Sequence, residues 1–360
     1  MRKVIVAIFA FLGFSLGISA QTVIDNPDQP ASKNAGRTRP LREVLRIRDT
    51  GKDFYFKQPW MLDVSADGSI FVQDGLALFE FAPDGRFKKN LVKIGQGPGE
   101  ISTELTDLLV RDNEVFVFSA PSNKLVKTDF EGKLIKELKF DKKIFNHLLA
   151  FCNQKYYMLD LKRKDFARTD GIKDNDLSLF LVNEDGTFNP AFCSFSTQFY
   201  VQLRERGSSV SGVTDLYVSK ESDKFMYVAH AREYQIEQLD LDKAEIVKIF
   251  RRSYPRVKYK KKDPRDTRKM PDYDNDVYRL LVYKDQVWAL TSTYDPTKGV
   301  LVDAFNSEGK YVDNFWLPLK NIRTGDAFFQ RYFPVVIQGD FLYAIEHDID
   351  WDFSIAKYLI

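Results

Sequence analysis

A six-bladed β-propeller, all-β with four antiparallel strands per blade, is the fold the sequence predicts, and three observations predict it. A short motif recurs six times: a polar turn, then an apolar residue, an aromatic and a second apolar residue. Its copies are Ile70-Phe71-Val72, Val115-Phe116-Val117, Tyr156-Tyr157-Met158, Met226-Tyr227-Val228, Val287-Trp288-Ala289 and Leu342-Tyr343-Ala344. Alternating apolar strands bounded by Gly, Asp and Asn surround each copy, with no convincing run of helical period. The last copy is followed by a single strand, FSIAKYLI, while a spare alternating strand, REVLRIR (Arg42 to Arg48), precedes the first.

The spacing sets the blade count. Successive copies stand 41 to 70 residues apart, which suits four strands and their turns and leaves no room for a hidden blade. An acidic-Gly turn follows in four copies, at Asp84-Gly85, Glu131-Gly132, Asp185-Gly186 and Glu308-Gly309. Blade six lacks its outer strand. Arg42 to Arg48 can supply it, joining the two ends of the ring and removing an exposed sheet edge.

Residues 1–20 read as a signal peptide: Arg2 and Lys3 form a basic start, Val4 to Leu16 an apolar stretch, and Ala20 a small residue at the cut. Export to a periplasm, a cell surface or the extracellular medium is therefore expected. Residues 21–40 are rich in Pro, Asn and Asp and poor in apolar residues, so a flexible leader is expected there, with the propeller over 41–360. Once Arg2 and Lys3 leave with the signal, basic and acidic residues balance at 51 each. Such a balance argues against a nucleic-acid partner, and no later apolar run is long enough to span a bilayer. A monomer is expected. Cys152 falls on the inner strand of blade three and Cys193 on its outermost strand, roughly 14 Å away at about 4.8 Å per strand, so they are expected to stay unpaired.

The stretch from Pro59 to Gly99, with DVSADGSIFVQD, FEFAPDGRF and IGQGPGE, resembles the exported six-bladed propellers of the NHL and TolB-like group of bacterial envelopes. The GxGPGE after the first blade is its sharpest mark, and later blades carry no second copy. The resemblance implies a fold and a compartment, and no single activity.

Candidate functional residues follow from where the loops of such a fold open. GQGPGE joins the outer strand of blade one to the inner strand of blade two, on the channel-mouth face. It opens onto a strand, where a phosphate loop needs a helix. Gly95, Gly97 and Gly99 are therefore either turn formers beside a stiffening Pro98 or a ligand-facing backbone. His147, His230 and His347 map to the same face, where three converging imidazoles would hold zinc. The position closing each second strand reads Asp74, Ser119, Asp160, His230, Thr291 and Glu346 around the ring. With Asp348 and Asp350 nearby, these carboxylates suit calcium, or they cap strand ends. The acids Asp63, Asp107 and Asp215 lie on inner strands and do not share a register.

The cluster RRSYPRVKYKKKDPRDTRK (Arg251 to Lys269), with Lys260, Lys261 and Lys262 at its centre, reads as a solvated loop or as a docking site for an anionic glycan, headgroup or acidic protein. No Ser-His-Asp spacing, nucleophile elbow or dense metal motif is present. The expected function is a non-catalytic binding or scaffold propeller recognising a protein, glycan or small molecule at the channel mouth, with no cofactor. The alternative is a metal-dependent lactonase- or lyase-like enzyme, using calcium or zinc on Asp74, Asp160, His230 and Glu346.

Overall fold

The computed structural model describes residues 21–49, 51–140, 143–162, 170–204, 207–212, 216–220, 224–230, 232–259, 272–319, 335–348, 350 and 352–360. The signal segment, Asp215 and Lys260, Lys261 and Lys262 lie outside them. The described residues form strands and connecting turns, without an α-helix. Six antiparallel sheets follow one another along the chain. From the channel outward, blade one holds Pro59–Val64, Ile70–Asp74, Ala77–Phe81 and Phe87–Asn90, and blade two Asp107–Arg111, Glu114–Ser119, Lys124–Asp129 and Leu134–Lys139. Blade three holds His147–Cys152, Lys155–Lys162, Gly171–Asn183 and Cys193–Arg204, and blade four Tyr217–Val218, Phe225–Ala229, Gln235–Asp240 and Glu245–Arg252. Blade five holds Val277–Tyr283, Gln286–Asp295, Gly299–Asn306 and Tyr311–Leu317; blade six begins Val335–Gln338, Phe341–His347, Phe353–Leu359.

The missing fourth strand of blade six comes from the other end of the chain. Arg42–Arg48 pairs antiparallel with Phe353–Leu359, from Leu359↔Arg42 to Ser354↔Arg48. A side-chain clasp reinforces the join: Arg46 Nη1 donates to Glu346 Oε2 at 2.9 Å and to Ser354 Oγ at 2.8 Å, and Tyr358 donates to Glu346 Oε1 at 2.6 Å.

The recurring aromatic explains why the blades stack. Phe71, Phe116, Tyr157, Tyr227, Trp288 and Tyr343 are each at most 5% exposed. Each belongs to a different hydrophobic cluster, and each cluster joins one blade to the next. Phe71 packs with Val110, Val115 and Val117 of blade two, Phe116 with Tyr156 and Met158 of blade three, and Tyr157 with Met226 and Val228 of blade four. Tyr227 meets Leu280 and Val287, Trp288 meets Leu342 and Ala356, and Tyr343 meets Ile70 and Val72 across the closed ring.

Two features depart from the sequence expectation. Residues 21–40 are a strap rather than a flexible leader. Thr22–Asn26 pairs in parallel with the outer strand of blade four, and Arg37–Thr38 with that of blade five. Asn26 accepts from the Tyr311 amide at 2.8 Å and donates to the Gly309 carbonyl at 3.0 Å, while Arg37 reaches Asp313 at 2.7 Å. Edge pairing satisfies backbone groups and needs no apolar side chains, so composition alone hides it. Blade three also carries a fifth strand, Gly207–Gly212, outside Cys193–Arg204. Cys152 and Cys193 are not joined in a disulfide, as expected, and burial pushes the Cys193 thiol up to about 12.

One buried charge pair ties blade four to blade five. Asp303, fully buried, accepts from Arg252 Nη2 at 2.8 Å and from the hydroxyls of Tyr234 and Tyr311, each at 2.8 Å. Three rings surround the guanidinium, with Tyr311 nearest at 4.7 Å from its centroid. Asp303→Asn should therefore cost about 3–5 kcal/mol, because it strands a buried guanidinium. Chemical denaturation at neutral pH measures this, and an unchanged midpoint would refute it.

Candidate functional site

The inner strands of all six blades enclose a central cavity of about 510 Å³. Trp60–Asp63, Asp107–Leu109, His147–Leu149, Tyr217–Val218, Arg279–Val282 and Val335–Ile337 supply its wall. A volume of several hundred Å³ with apolar walls and few polar groups is the usual character of a ligand pocket. Among the described residues, the charged side chains on this wall are Asp63, Glu104, Asp107, Lys220 and Arg279, with His147 beside them.

Two of the inner-strand acids turn out to be structural. Asp63 Oδ2 accepts the Val110 amide of the next blade at 2.7 Å, and Oδ1 accepts from the Val64 amide and from Lys220 Nζ, each at 2.8 Å. Lys220 also donates to the Val64 carbonyl at 3.0 Å. Asp107 repeats the device one blade on: it accepts the Leu148 amide at 2.9 Å and lies 3.1 Å from His147 Nδ1. Since Asp63 faces Val110, three residues beyond Asp107, the two carboxylates sit at different depths, roughly 10 Å apart along the strand. Their lack of common register is as the sequence indicates.

Arg279 differs from these groups. Its guanidinium makes one hydrogen bond among the described residues, a long one of 3.4 Å from Nη2 to the Val335 carbonyl. Its Nε is buried with no partner among them. Burial holds this guanidinium below its ordinary value, against the opposing attraction of the Asp63 carboxylate. Neither Arg279 nor Lys220 stands out in the sequence, where the residue types that suggest channel chemistry are acids and histidines. The available signal was a single cation inside the otherwise apolar inner strand VYRLLVY.

The second-strand ends do lie together on one face, since Asp74 pairs with Pro59 at the start of an inner strand and Leu159, beside Asp160, with His147. They do not converge on a common centre. Asp74 accepts the Lys57 and Gln58 amides at 2.6 and 2.8 Å, with burial raising its carboxyl. Asp160 binds Lys143 at 2.6 Å, Glu346 belongs to the closing clasp, and Asp348 accepts the Asp350 amide at 2.9 Å. His347 Nδ1 lies 2.9 Å from the Asp348 carbonyl oxygen. His230 is wedged between blades three and four, its Nδ1 3.0 Å from the Ser196 carbonyl oxygen and its Nε2 3.2 Å from Glu237. Among the described residues, no group of three His, Cys, Asp or Glu is arranged to hold a metal ion.

The GQGPGE loop is filled by its own last residue. Glu100 folds back so that Oε2 accepts the Gly97 amide at 2.8 Å. Added Cβ atoms at Gly95 and Gly97 would lie 2.0 and 2.9 Å from that oxygen, so a side chain at either position requires the Glu100 carboxylate to move. Gly99, at φ +74°, donates to Glu137 at 2.6 Å, and Lys124 donates to the Gly97 and Glu100 carbonyls at 3.0 and 2.7 Å. The amides of Gly97 and Gly99 thus face protein carboxylates, and the glycines pack the crossing between blades one and two.

Two predictions follow from these contacts. Gly95→Ala should expel the Glu100 carboxylate, leave the Gly97 amide unpaired and cost about 1–3 kcal/mol. In the Glu100→Ala background the same change should cost much less, and a double-mutant denaturation cycle showing additive losses would refute the pairing. Burial opposes charge on His230, but Glu237 and the Ser196 carbonyl outweigh it and hold the imidazole above its ordinary value. A raised folded-state value means the contribution is complete below the unfolded value near 6.5 and is lost as pH rises through the folded one. The stability advantage of wild type over His230→Gln should therefore be larger at about pH 6 than at about pH 9; urea midpoints that differ equally at both would overturn it.

Comparison with known proteins agrees with this architecture. Residues 45–210 match the model of the DUF5128 family, described as a 6-bladed beta-propeller. No curated protein matches the chain. Among solved structures, the chain is similar to a Bacteroides fragilis protein described as exported, with a TM-score of 0.53 and 11% identity over 94% of this chain and 99% of that one. It is also similar to a member of the DUF4221 family from Bacteroides vulgatus, with a TM-score of 0.52 and 11% identity over 89% of this chain and 97% of that one. At such identity the likeness concerns the fold alone. The fold is a six-bladed β-propeller whose ring closes through the strand Arg42–Arg48.

Proposed function

We infer that this chain is an exported, non-catalytic binding propeller of the NHL or TolB-like kind, and that its ligand enters the central cavity. The observation that carries this reading is the cavity itself: six inner strands enclose about 510 Å³ with leucine- and valine-rich walls and a few inward charges. Binding requires only such a wall. Catalysis would also need a nucleophile or a positioned acid–base pair free to act, and Asp63 and Asp107 on the wall already receive backbone amides. The signal-like residues 1–20 and the likeness to a protein described as exported support the compartment. The lactonase- or lyase-like alternative loses its proposed ligands Asp74, Asp160, His230 and Glu346 to separate local partners.

The reading has a direct test. Purified protein is incubated with a small-molecule extract of bacterial cells, washed, and analysed by mass spectrometry for retained compounds. Leu108→Trp places an indole at the half-buried cavity wall and should abolish retention while the fold persists by circular dichroism. Equal retention by both proteins, or none by wild type, would overturn the cavity as the binding site. Conversion of the retained compound to a new mass would overturn the non-catalytic assignment.

A further inference from the structure

The cavity wall carries an imbalance that indicates what kind of ligand fits. Asp63 shares the cavity wall with Arg279, and it is already engaged by Lys220 and two backbone amides. Asp107 lies at another depth, against His147, and Glu104 is exposed at the rim, where water screens it. Of the two cations on the described wall, Lys220 therefore takes the Asp63 carboxylate, and Arg279 has no ion pair with a carboxylate among the described residues.

Of the two, Lys220 is satisfied by a carboxylate oxygen and a carbonyl. Arg279 is not. A guanidinium offers five N–H donors in a planar fork, and here a single long bond to the Val335 carbonyl uses one of them. Its Nε is buried and has no partner among the described residues. A buried donor left in that state costs free energy that folding alone does not return, and an incoming acceptor would recover it. The cavity wall that holds it also carries Leu62, Leu108, Leu148, Leu280 and Val335.

We propose that the cavity receives an amphiphilic anion, with its carboxylate or phosphate on the Arg279 guanidinium and its apolar body along the leucine wall. This rests on the binding reading above and adds the ligand's chemistry to it. The two anionic groups share their recognition, because the arginine fork matches both, most closely as two parallel N–H···O bonds. A neutral apolar compound would leave Arg279 as it stands, and an amine would place a third cation beside it and Lys220.

The test uses the mature protein and four probes that share one tail: octanoate, octyl phosphate, octanol and octylammonium. Binding is followed by isothermal titration calorimetry and by saturation-transfer NMR. One or both anions should bind about 10- to 100-fold more tightly than octanol, the value of charge-assisted hydrogen bonds to a buried guanidinium, and octylammonium should bind more weakly still. Whichever of octanoate and octyl phosphate binds more tightly identifies the headgroup class. Arg279→Gln should reduce the anions to the level of octanol, and Arg279→Lys should fall between. If Arg279→Gln does not fold, the ranking of the four probes on wild type decides alone. Octanol binding as tightly as the anions would overturn the proposal and leave the cavity as a binding site. Silence from all four probes would also overturn it, while retention of an extract compound by wild type and not by Leu108→Trp would still uphold the broader reading.

Discussion

The ring depends on one aromatic side chain per blade driven into the next sheet. Phe71, Phe116, Tyr157, Tyr227, Trp288 and Tyr343 occupy the centre of each second strand, and each nucleates one of the six interfaces. Burying a large aromatic removes some 150–250 Å² from water, so each of these six equivalent contacts is a large single contribution to the apolar burial that holds two blades together. No blade could bury its faces alone. The fold is therefore one cooperative circle, and its weakest point is wherever the circle has to be closed.

Closure is handled by backbone and charge together. The strand Arg42–Arg48 completes blade six by hydrogen bonding, and Arg46 fixes it to Glu346, Ser354 and Tyr358. Ahead of that strand, the strap lies along the outer edges of blades four and five before the chain enters blade six. Three consecutive blades thus gain an edge partner from the N-terminal thirty or so residues of the described chain. Free sheet edges invite pairing with other chains, and the strap covers two of them with short parallel segments. The buried Arg252–Asp303 pair lies beneath the same region, so covalent order, edge pairing and charge all reinforce the passage from blade four to blade six.

How much of this was legible in the sequence follows from which forces leave a pattern in it. The aromatic repeat was legible because interface burial demands the same residue type at the same place in every blade. The closing strand was legible because Arg42–Arg48 alternates like any other strand. The strap was not, because QTVIDNPDQP holds its edge through main-chain groups and polar side chains such as Asn26, which look like the composition of a disordered leader. The fifth strand of blade three, with its glycines and serines, escaped for the same reason. GQGPGE was recognisable as a crossing, but the cause of its glycines was not: the space they leave is taken by the Glu100 carboxylate, a contact that sequence spacing alone does not disclose.

The candidate site was less legible still, and the reason lies in the geometry of a propeller's innermost strands. Each has one edge facing the channel, where no further strand can pair with its amides. Asp63 takes up the Val110 amide and Asp107 that of Leu148, so carboxylates at the channel serve the backbone before they can serve a ligand. Those carboxylates then require cations, which is the position of Lys220. A search for acids and histidines around a channel consequently selects groups already spent on the fold. The informative residue is the cation left over after that balance is made, and among the described residues of the channel wall it is Arg279.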